Sequence, residues 1–145
     1  MKYTCEVEID RPRSQVVALF DDPANLMRWM PDLIRFEPVS GVPGRVDAKS
    51  RLVFRAGGGE FEMLETVTGR NLPEELSGVY ETKMGVTRIT NRFLESGGKT
   101  RWIVDTDFQG SGAMKLLALA MGSAIRGQTE KVVRRFKEFV ESQPR

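Results

Sequence analysis

The chain has no histidine among its 145 residues, which limits the chemistry that its other side chains can perform. Nucleophile systems of the Ser-His-Asp and Cys-His types are excluded, as are metal sites with imidazole ligands. Any acid–base chemistry must come from carboxylates, tyrosine, lysine or bound water. Glu65 and Tyr80 are the candidate pair for this chemistry, because both lie in segments whose alternating side chains predict β-strands.

The positions of the turns predict which strand residues lie opposite each other. The candidate turns are Leu72-Pro73, Met84-Gly85 and Gly97-Gly98, and residues equidistant from a turn pair in antiparallel strands. The pairs predicted in this way are Glu65–Tyr80, Tyr80–Ile89, Asn91–Val104 and Phe93–Trp102. With these pairs, the alternating apolar residues of all the strands fall on the same face of the sheet, which predicts that this face is directed towards a core.

A few polar residues fall on the surfaces that are predicted to face inward. They are Glu65, Tyr80, Asn91 and Thr106 on the sheet, and Gln128 on the last helix. Apolar pockets with a few convergent polar groups are typical of small-molecule sites. A buried carboxylate needs partners and has a raised pKa, so Glu65 could move protons in an aldol cyclisation or a dehydration. The alternative is that Glu65 lies near a strand end in water or makes a structural hydrogen bond.

The elements that must position these residues follow from the periodicity. Lys2 to Ile9 alternates as a strand, and two short helical segments follow, the second between Asp22-Pro23 and Pro31. Further alternating strands begin at Leu33. The amphipathic stretch from Gly112 to Ser142 predicts one helix of roughly 45 Å, at 1.5 Å per residue.

The last helix presents an apolar stripe at steps of three and four residues. Its members are Met114, Leu117, Met121, Ile125, Gln128, Val132, Phe136 and Phe139. Gly122 and Gly127 interrupt the pattern of helix-forming residues, and they either allow close packing on the sheet or mark a bend. A single helix that closes a meander of strands predicts an α+β domain of two layers over residues 1–145, with a hollow between the layers.

Composition restricts the partners and the setting. The net charge of +2 gives no reason to expect nucleic-acid binding, which requires a concentrated basic face. Cys5 is the single cysteine, which fits a reducing cytoplasm, and the amino terminus lacks the apolar core of a signal peptide. The most apolar run, Ala113 to Ile125, is too short to cross a bilayer. Monomer and homodimer both remain open.

The opening of the chain carries a family pattern. Ile9-Asp10-Arg11-Pro12 is followed by Val16-Val17, and Asp22-Pro23 lies six residues before Trp29-Met30-Pro31. With the order of elements, this pattern resembles the START/Bet v 1-like (SRPBCC) superfamily, in particular its polyketide cyclase/dehydrase-like branch. The resemblance implies a helix-grip fold, in which a seven-stranded antiparallel sheet wraps around a long C-terminal helix, with two short helices after the first strand.

The resemblance implies a ligand cavity between sheet and helix but no particular reaction. Members include lipid and hormone carriers, aromatase/cyclases and co-chaperones, and the superfamily has no common catalytic motif to transfer to this chain. The expected function is therefore binding of a hydrophobic or aromatic small molecule, without a metal or cofactor and without assured catalysis. The residues expected to line the site are Phe54, Met63, Glu65, Tyr80, Asn91, Phe93, Trp102, Val104, Leu117, Met121, Ile125 and Gln128.

Two alternatives remain. The first is a cyclase or dehydratase in which Glu65 is the acid–base group and Tyr80 or Asn91 orients a carbonyl. The second is a protein-interaction module whose interior is filled by its own side chains and whose surface has an exposed apolar patch.

Overall fold

The alternating segments form one antiparallel sheet of seven strands in a computed structural model that describes residues 1–145. The spatial order is β1-β7-β6-β5-β4-β3-β2, so consecutive strands from β2 to β7 are neighbours and β1 lies against β7. The strands are β1 (Lys2–Ile9), β2 (Leu33–Ser40), β3 (Lys49–Ala56), β4 (Gly59–Asn71), β5 (Glu75–Thr82), β6 (Gly85–Ser96) and β7 (Lys99–Gly110). The predicted seven-stranded meander is confirmed.

Four α-helices complete the fold, and two of them follow β1 as predicted. They are α1 (Arg13–Phe20), α2 (Leu26–Trp29), α3 (Met114–Ala120) and α4 (Gly122–Glu141). The side chain of Asp22 accepts a hydrogen bond of 3.0 Å from the Ala24 amide and caps a 3₁₀ turn that leads into α2. None of the helices is long and apolar enough to span a membrane.

The prediction of one continuous helix from Gly112 to Ser142 is wrong. The helix is interrupted at Met121, whose backbone has φ −104° and ψ 11°, so α3 and α4 are separate elements. α4 has 20 residues and is about 30 Å long. Gly122 follows the break, and the Met1 sulfur lies 3.1 Å from the position that a Cβ would occupy there. Gly122 therefore marks a bend and also permits a close contact.

Three of the four predicted strand pairs are confirmed, namely Glu65–Tyr80, Asn91–Val104 and Phe93–Trp102. The fourth is wrong, because Tyr80 pairs with Thr87 rather than with Ile89. The turn lies at Lys83 and Met84, since Thr82 already pairs with Gly85. The error is two residues, and a shift of two residues leaves every side chain on the same face of the sheet.

The pairing of Glu65 with Tyr80 depends on a β-bulge that the turn positions do not reveal. Beyond Val67 the register shifts by one residue, so that Asn71 pairs with Glu75 and the loop between β4 and β5 has three residues instead of two. The extra residue of the bulge in β4 compensates for the longer loop. The longer loop and the bulge shift the register in opposite directions, so Glu65 still pairs with Tyr80 as predicted.

The core lies between the C-terminal part of α4, the two short helices and the inner face of β1, β6 and β7. Phe136 of α4 is fully buried, and its ring centroid lies 4.9 Å from those of both Trp29 and Trp102. Trp102 in turn stacks on Phe93, its predicted partner across the strands. These aromatic contacts hold α4 against the sheet and α2 against α4.

Two arginines connect elements that are distant in sequence. Arg11, 9% exposed, donates hydrogen bonds to the carbonyl oxygens of Asp10, Glu141 and Gln143, and thereby holds the end of α4 against the junction of β1 and α1. Arg70 forms a two-pronged ion pair with Asp21, with nitrogen–oxygen distances of 2.6 and 2.8 Å, which joins β4 to the end of α1.

Candidate functional site

Glu65 and Tyr80 make a direct hydrogen bond on the inner face of the sheet. The Tyr80 hydroxyl donates to Glu65 Oε2 at 2.8 Å, and both side chains are partly buried. Alternation on β4 and β5 places both side chains on the face that also carries the core, because the strands pair in register at this point. We call these two residues the Glu65–Tyr80 pair.

Burial determines the electrostatics of the Glu65–Tyr80 pair. It raises the pKa of Glu65, and the hydrogen bond from Tyr80 offsets part of that rise by stabilising the carboxylate. Burial also raises the pKa of Tyr80 well above its usual value, and the negative charge and hydrogen bond of Glu65 reinforce this effect. Tyr80 therefore keeps its proton and donates a hydrogen bond at neutral pH, whereas Glu65 holds its proton to higher pH than an exposed carboxyl group does.

A row of paired residues crosses the sheet at the level of this pair. From β3 to β7 it comprises Ser50, Glu65, Tyr80, Thr87 and Phe108. The row thus contains four groups that can form hydrogen bonds and ends on an aromatic ring. Sequence reasoning missed Ser50 and Thr87, although the alternation of Ser50 with Leu52 and Phe54 was a usable signal.

Apolar side chains lie next to the pair on the same face. Met63 precedes Glu65 by two residues on β4 and pairs with Leu52, which is 3% exposed. Phe54 follows on β3 and pairs with Phe61. The arrangement is a hydrogen-bonded acid and phenol beside an apolar surface, which suits a ligand with an apolar body and a single hydroxyl or carbonyl group.

The structure divides the predicted site residues into three groups. Asn91, Phe93, Trp102 and Val104 are buried in the core. Phe54, Met63, Glu65, Tyr80 and Ile125 are partly buried. Leu117, Met121 and Gln128 are exposed.

The buried group is occupied by contacts within the protein. Asn91 Oδ1 accepts a hydrogen bond of 3.1 Å from the Trp102 indole, and Asn91 Nδ2 donates to the Leu76 carbonyl at 3.2 Å. The oxygen and the nitrogen of the amide are therefore both engaged within the protein, and the Asn91 side chain is buried.

The exposed group includes two residues at or before the break in the helix, Leu117 and Met121, and one residue within α4, Gln128. The predicted stripe is buried only in its C-terminal part, where Phe136 and Phe139 face the core. Leu117 and Met121, 45% and 46% exposed, lie in α3 and at the break, and Ala118 is the buried residue of α3. Because the helix is interrupted at Met121, the apolar period of α4 does not extend to these side chains.

Two surface pockets of about 410 Å³ each lie away from the Glu65–Tyr80 pair. One is between α2 and the end of α4, and the other is on β1, β6 and β7 among polar side chains such as Arg88 and Asp105. Neither contains Glu65 or Tyr80. The Glu65–Tyr80 pair therefore lies outside both pockets, on the inner face of the sheet.

Solved structures share this fold at low sequence identity. A protein from Thermus thermophilus is 20% identical, with 97% of each chain covered and a TM-score of 0.79. Ara h 8.0201 is 11% identical, with 99% of each chain covered and a TM-score of 0.80. The Zhui aromatase/cyclase from Streptomyces sp. R1128 is 11% identical, with 97% of this chain and 93% of that chain covered and a TM-score of 0.82.

Sequence comparison then assigns the family. Comparison with curated proteins gives no significant match. The family described as "Polyketide cyclase / dehydrase and lipid transport" matches residues 1–141, which is nearly the whole chain. Together with the helix-grip fold and the opening pattern from Ile9 to Pro31, this match shows that the chain belongs to that family, within the START/Bet v 1-like (SRPBCC) superfamily.

Proposed function

We propose that this protein binds a hydrophobic or aromatic small molecule against the inner face of the sheet, with a polar group of the ligand hydrogen-bonded to the Glu65–Tyr80 pair. The observation that carries the proposal is a partly buried acid and phenol, 2.8 Å apart, beside an apolar surface. Glu65 Oε1 has no hydrogen-bond partner within the chain, so it is free for a ligand.

The energetics favour a ligand with one polar group. Partial burial of Glu65 costs free energy that the bond from Tyr80 recovers only in part, because it satisfies one of the two carboxyl oxygens. A ligand hydroxyl can donate a hydrogen bond to the ionised carboxylate, and a ligand carbonyl can accept a hydrogen bond from the neutral acid. The family description, which includes lipid transport, is consistent with an apolar body for such a ligand.

A pair of naphthalene probes tests this proposal. We expect 1-naphthol to bind about tenfold more tightly than 1-methylnaphthalene, which has the same rings but no hydroxyl group, since one hydrogen bond to a charged group is worth that much. Glu65→Gln should reduce this difference, whereas Glu62→Gln, on the exposed face of the same strand, should not. Fluorescence titration measures the affinities.

Two results would contradict the proposal. Equal affinities for the two probes, or the same response of Glu65→Gln and Glu62→Gln, would show that the pair does not contact the ligand. Native mass spectrometry of the purified protein would then identify any small molecule that co-purifies, independently of the probes.

A second candidate function is a cyclase or dehydratase, and the raised pKa of Glu65 favours it. Glu65 would transfer the proton, and Tyr80 would hold the substrate oxygen, since the amide of Asn91 is engaged in the core. We expect Glu65→Gln to abolish turnover of a polyketide-like substrate while the affinity stays nearly unchanged. An equal loss of both would show that Glu65 contributes to binding and not specifically to proton transfer.

A further inference from the structure

A second concave site lies between α2 and the C-terminal part of α4. This α2–α4 pocket has a volume of about 410 Å³. Its lining residues are Arg28, Trp29, Pro31, Arg135, Glu138, Phe139 and Ser142. It belongs neither to the inner face of the sheet nor to the Glu65–Tyr80 pair.

The inner wall of the α2–α4 pocket is aromatic and fixed by the core. Trp29 and Phe139 are 3% and 7% exposed, and both belong to the aromatic cluster around Phe136. The guanidinium carbon of Arg28 lies 4.7 Å from the centroid of the Phe139 ring. This cation–π contact places the guanidinium group of the exposed Arg28 over the pocket wall.

A second guanidinium belongs to the same pocket. Arg135 precedes Phe139 by four residues on α4, so the two side chains share one face of the helix. Arg28 and Arg135 thus both line the pocket, and neither forms an ion pair or a hydrogen bond within the chain. By contrast, Arg70 and Arg92 are paired with Asp21 and Asp105.

The guanidinium groups of Arg28 and Arg135 are not needed to satisfy the carbonyl groups at the end of α4. Cations near a helix C-terminus usually satisfy its last carbonyl groups. Here Arg11 donates to the Glu141 and Gln143 carbonyls, and Ser142 and Gln143 donate to the Phe139 carbonyl. Those acceptors are already satisfied without Arg28 or Arg135.

We infer that the α2–α4 pocket binds a small carboxylate with an apolar body. The carboxylate lies between Arg28 and Arg135, where guanidinium groups donate charge-assisted hydrogen bonds, and the apolar body lies against Trp29 and Pro31. Glu138 leaves the pocket a net charge of about +1, which matches a monoanion and disfavours a phosphate dianion.

Titration of the ¹⁵N-labelled protein with benzoate tests the inference. We expect saturable shifts of the backbone amides of Arg28, Arg135 and Phe139 and of the Trp29 indole. Arg28→Gln and Arg135→Gln should each weaken binding about tenfold, the value for one charge-assisted hydrogen bond. Glu138→Gln should strengthen binding, because it removes a like charge.

Arg134→Gln is the matched control, because Arg134 is exposed on the same helix and does not line the pocket. It removes the same charge and should change the affinity less than twofold. Equal effects of Arg134→Gln and Arg135→Gln would show only bulk electrostatic attraction and would overturn the inference.

Two further outcomes would also overturn it. They are the absence of saturable shifts at the pocket, and tighter binding of inorganic phosphate than of benzoate at the same residues. Thermal unfolding of each variant confirms that it is folded. The affinity of 1-naphthol should stay unchanged in the arginine variants, which separates this site from the Glu65–Tyr80 pair.

Discussion

At the scale of single residues, the raised pKa of Glu65 makes the stability of the folded protein depend on pH. Because its pKa is raised in the folded chain, folding favours the protonated form of Glu65. Below the pKa of the unfolded chain, about 4.3, both states are protonated and the effect is absent. As the pH rises through the folded-state pKa, ionisation of the partly buried group lowers the stability.

Glu65→Gln removes this pH-dependent cost. We expect the variant to gain stability relative to the original chain as the pH rises from about 4 to about 8, because glutamine does not ionise. Urea denaturation at the two pH values measures the difference in the free energy of unfolding. A difference that is the same at both values would show that the pKa of Glu65 is not raised by folding.

Tyr80→Phe tests the hydrogen bond that the Glu65 carboxyl group accepts from the phenol. Loss of the hydroxyl removes the hydrogen bond that lowers the pKa of Glu65, so that pKa should rise further and stability should fall by about 1–3 kcal/mol. NMR titration of the Glu65 carboxyl carbon measures the pKa. Tyr3→Phe is the control, because the Tyr3 hydroxyl contacts Thr129, and it should leave this titration unchanged.

The residue scale also shows what the sequence could predict. Alternation placed Glu65 and Tyr80 on the same face of the sheet, because the side-chain period of a strand is fixed, but their exact pairing also depended on a bulge in β4 that offsets the longer loop. Alternation and turn positions failed for Thr87, since the turn at Lys83 and Met84 depends on local backbone geometry. They also could not show that the Asn91 amide is used by Trp102, which depends on side-chain packing.

At the scale of elements, the attachment of α4 depends on Arg11. Two of its three hydrogen bonds, to the Glu141 and Gln143 carbonyl groups, connect the junction of β1 and α1 to the end of α4, and the side chain is nearly buried. Arg11→Met keeps most of the apolar stem but leaves these acceptors without a donor. We expect a loss of about 2–3 kcal/mol in stability.

The loss should be localised at the end of α4. Amide hydrogen exchange in residues 138–143 should become faster in Arg11→Met than exchange in the central strands β6 and β7. Arg134→Met, at an exposed position of α4, should change neither quantity. Uniform acceleration over the whole chain would contradict a specific role of Arg11 at the helix end.

The sequence could not predict the break between α3 and α4. The apolar steps continue through Met121, so periodicity alone gives one helix. Glycine at 122 was compatible with either close packing or a bend, and the structure has both. The consequence for the site was large, because Leu117 and Met121 lie on the surface instead of along the buried stripe.

At the scale of the whole molecule, the aromatic core and the Glu65–Tyr80 pair occupy different ends of the same sheet face. β4, β6 and β7 have 13, 12 and 12 residues, which is longer than the other strands. Phe93 lies in the core, whereas Thr87 lies in the row of the Glu65–Tyr80 pair, about 20 Å away along β6 at 3.4 Å per residue. The long strands therefore provide a surface beyond the core, on which a ligand can lie.

This separation predicts opposite effects for two phenylalanine variants. Phe136→Ala should lower the stability by about 3–5 kcal/mol, because Phe136 is fully buried and contacts Trp29 and Trp102. The affinity of the folded variant for 1-naphthol should change less than twofold. Phe54→Ala should cost less stability, since Phe54 is only partly buried, but it should weaken 1-naphthol binding severalfold.

Thermal unfolding and fluorescence titration, carried out on both variants below their melting temperatures, measure the two quantities. Loss of affinity in Phe136→Ala in proportion to its loss of stability would place the ligand in the aromatic core, where the side chains are closely packed. If the affinity instead depends on Phe54 and not on Phe136, the ligand lies on the strand surface beyond the core. The two ends of one continuous sheet face then serve separate purposes, because the buried cluster that includes α4 takes its strand residues from β1, β6 and β7 only.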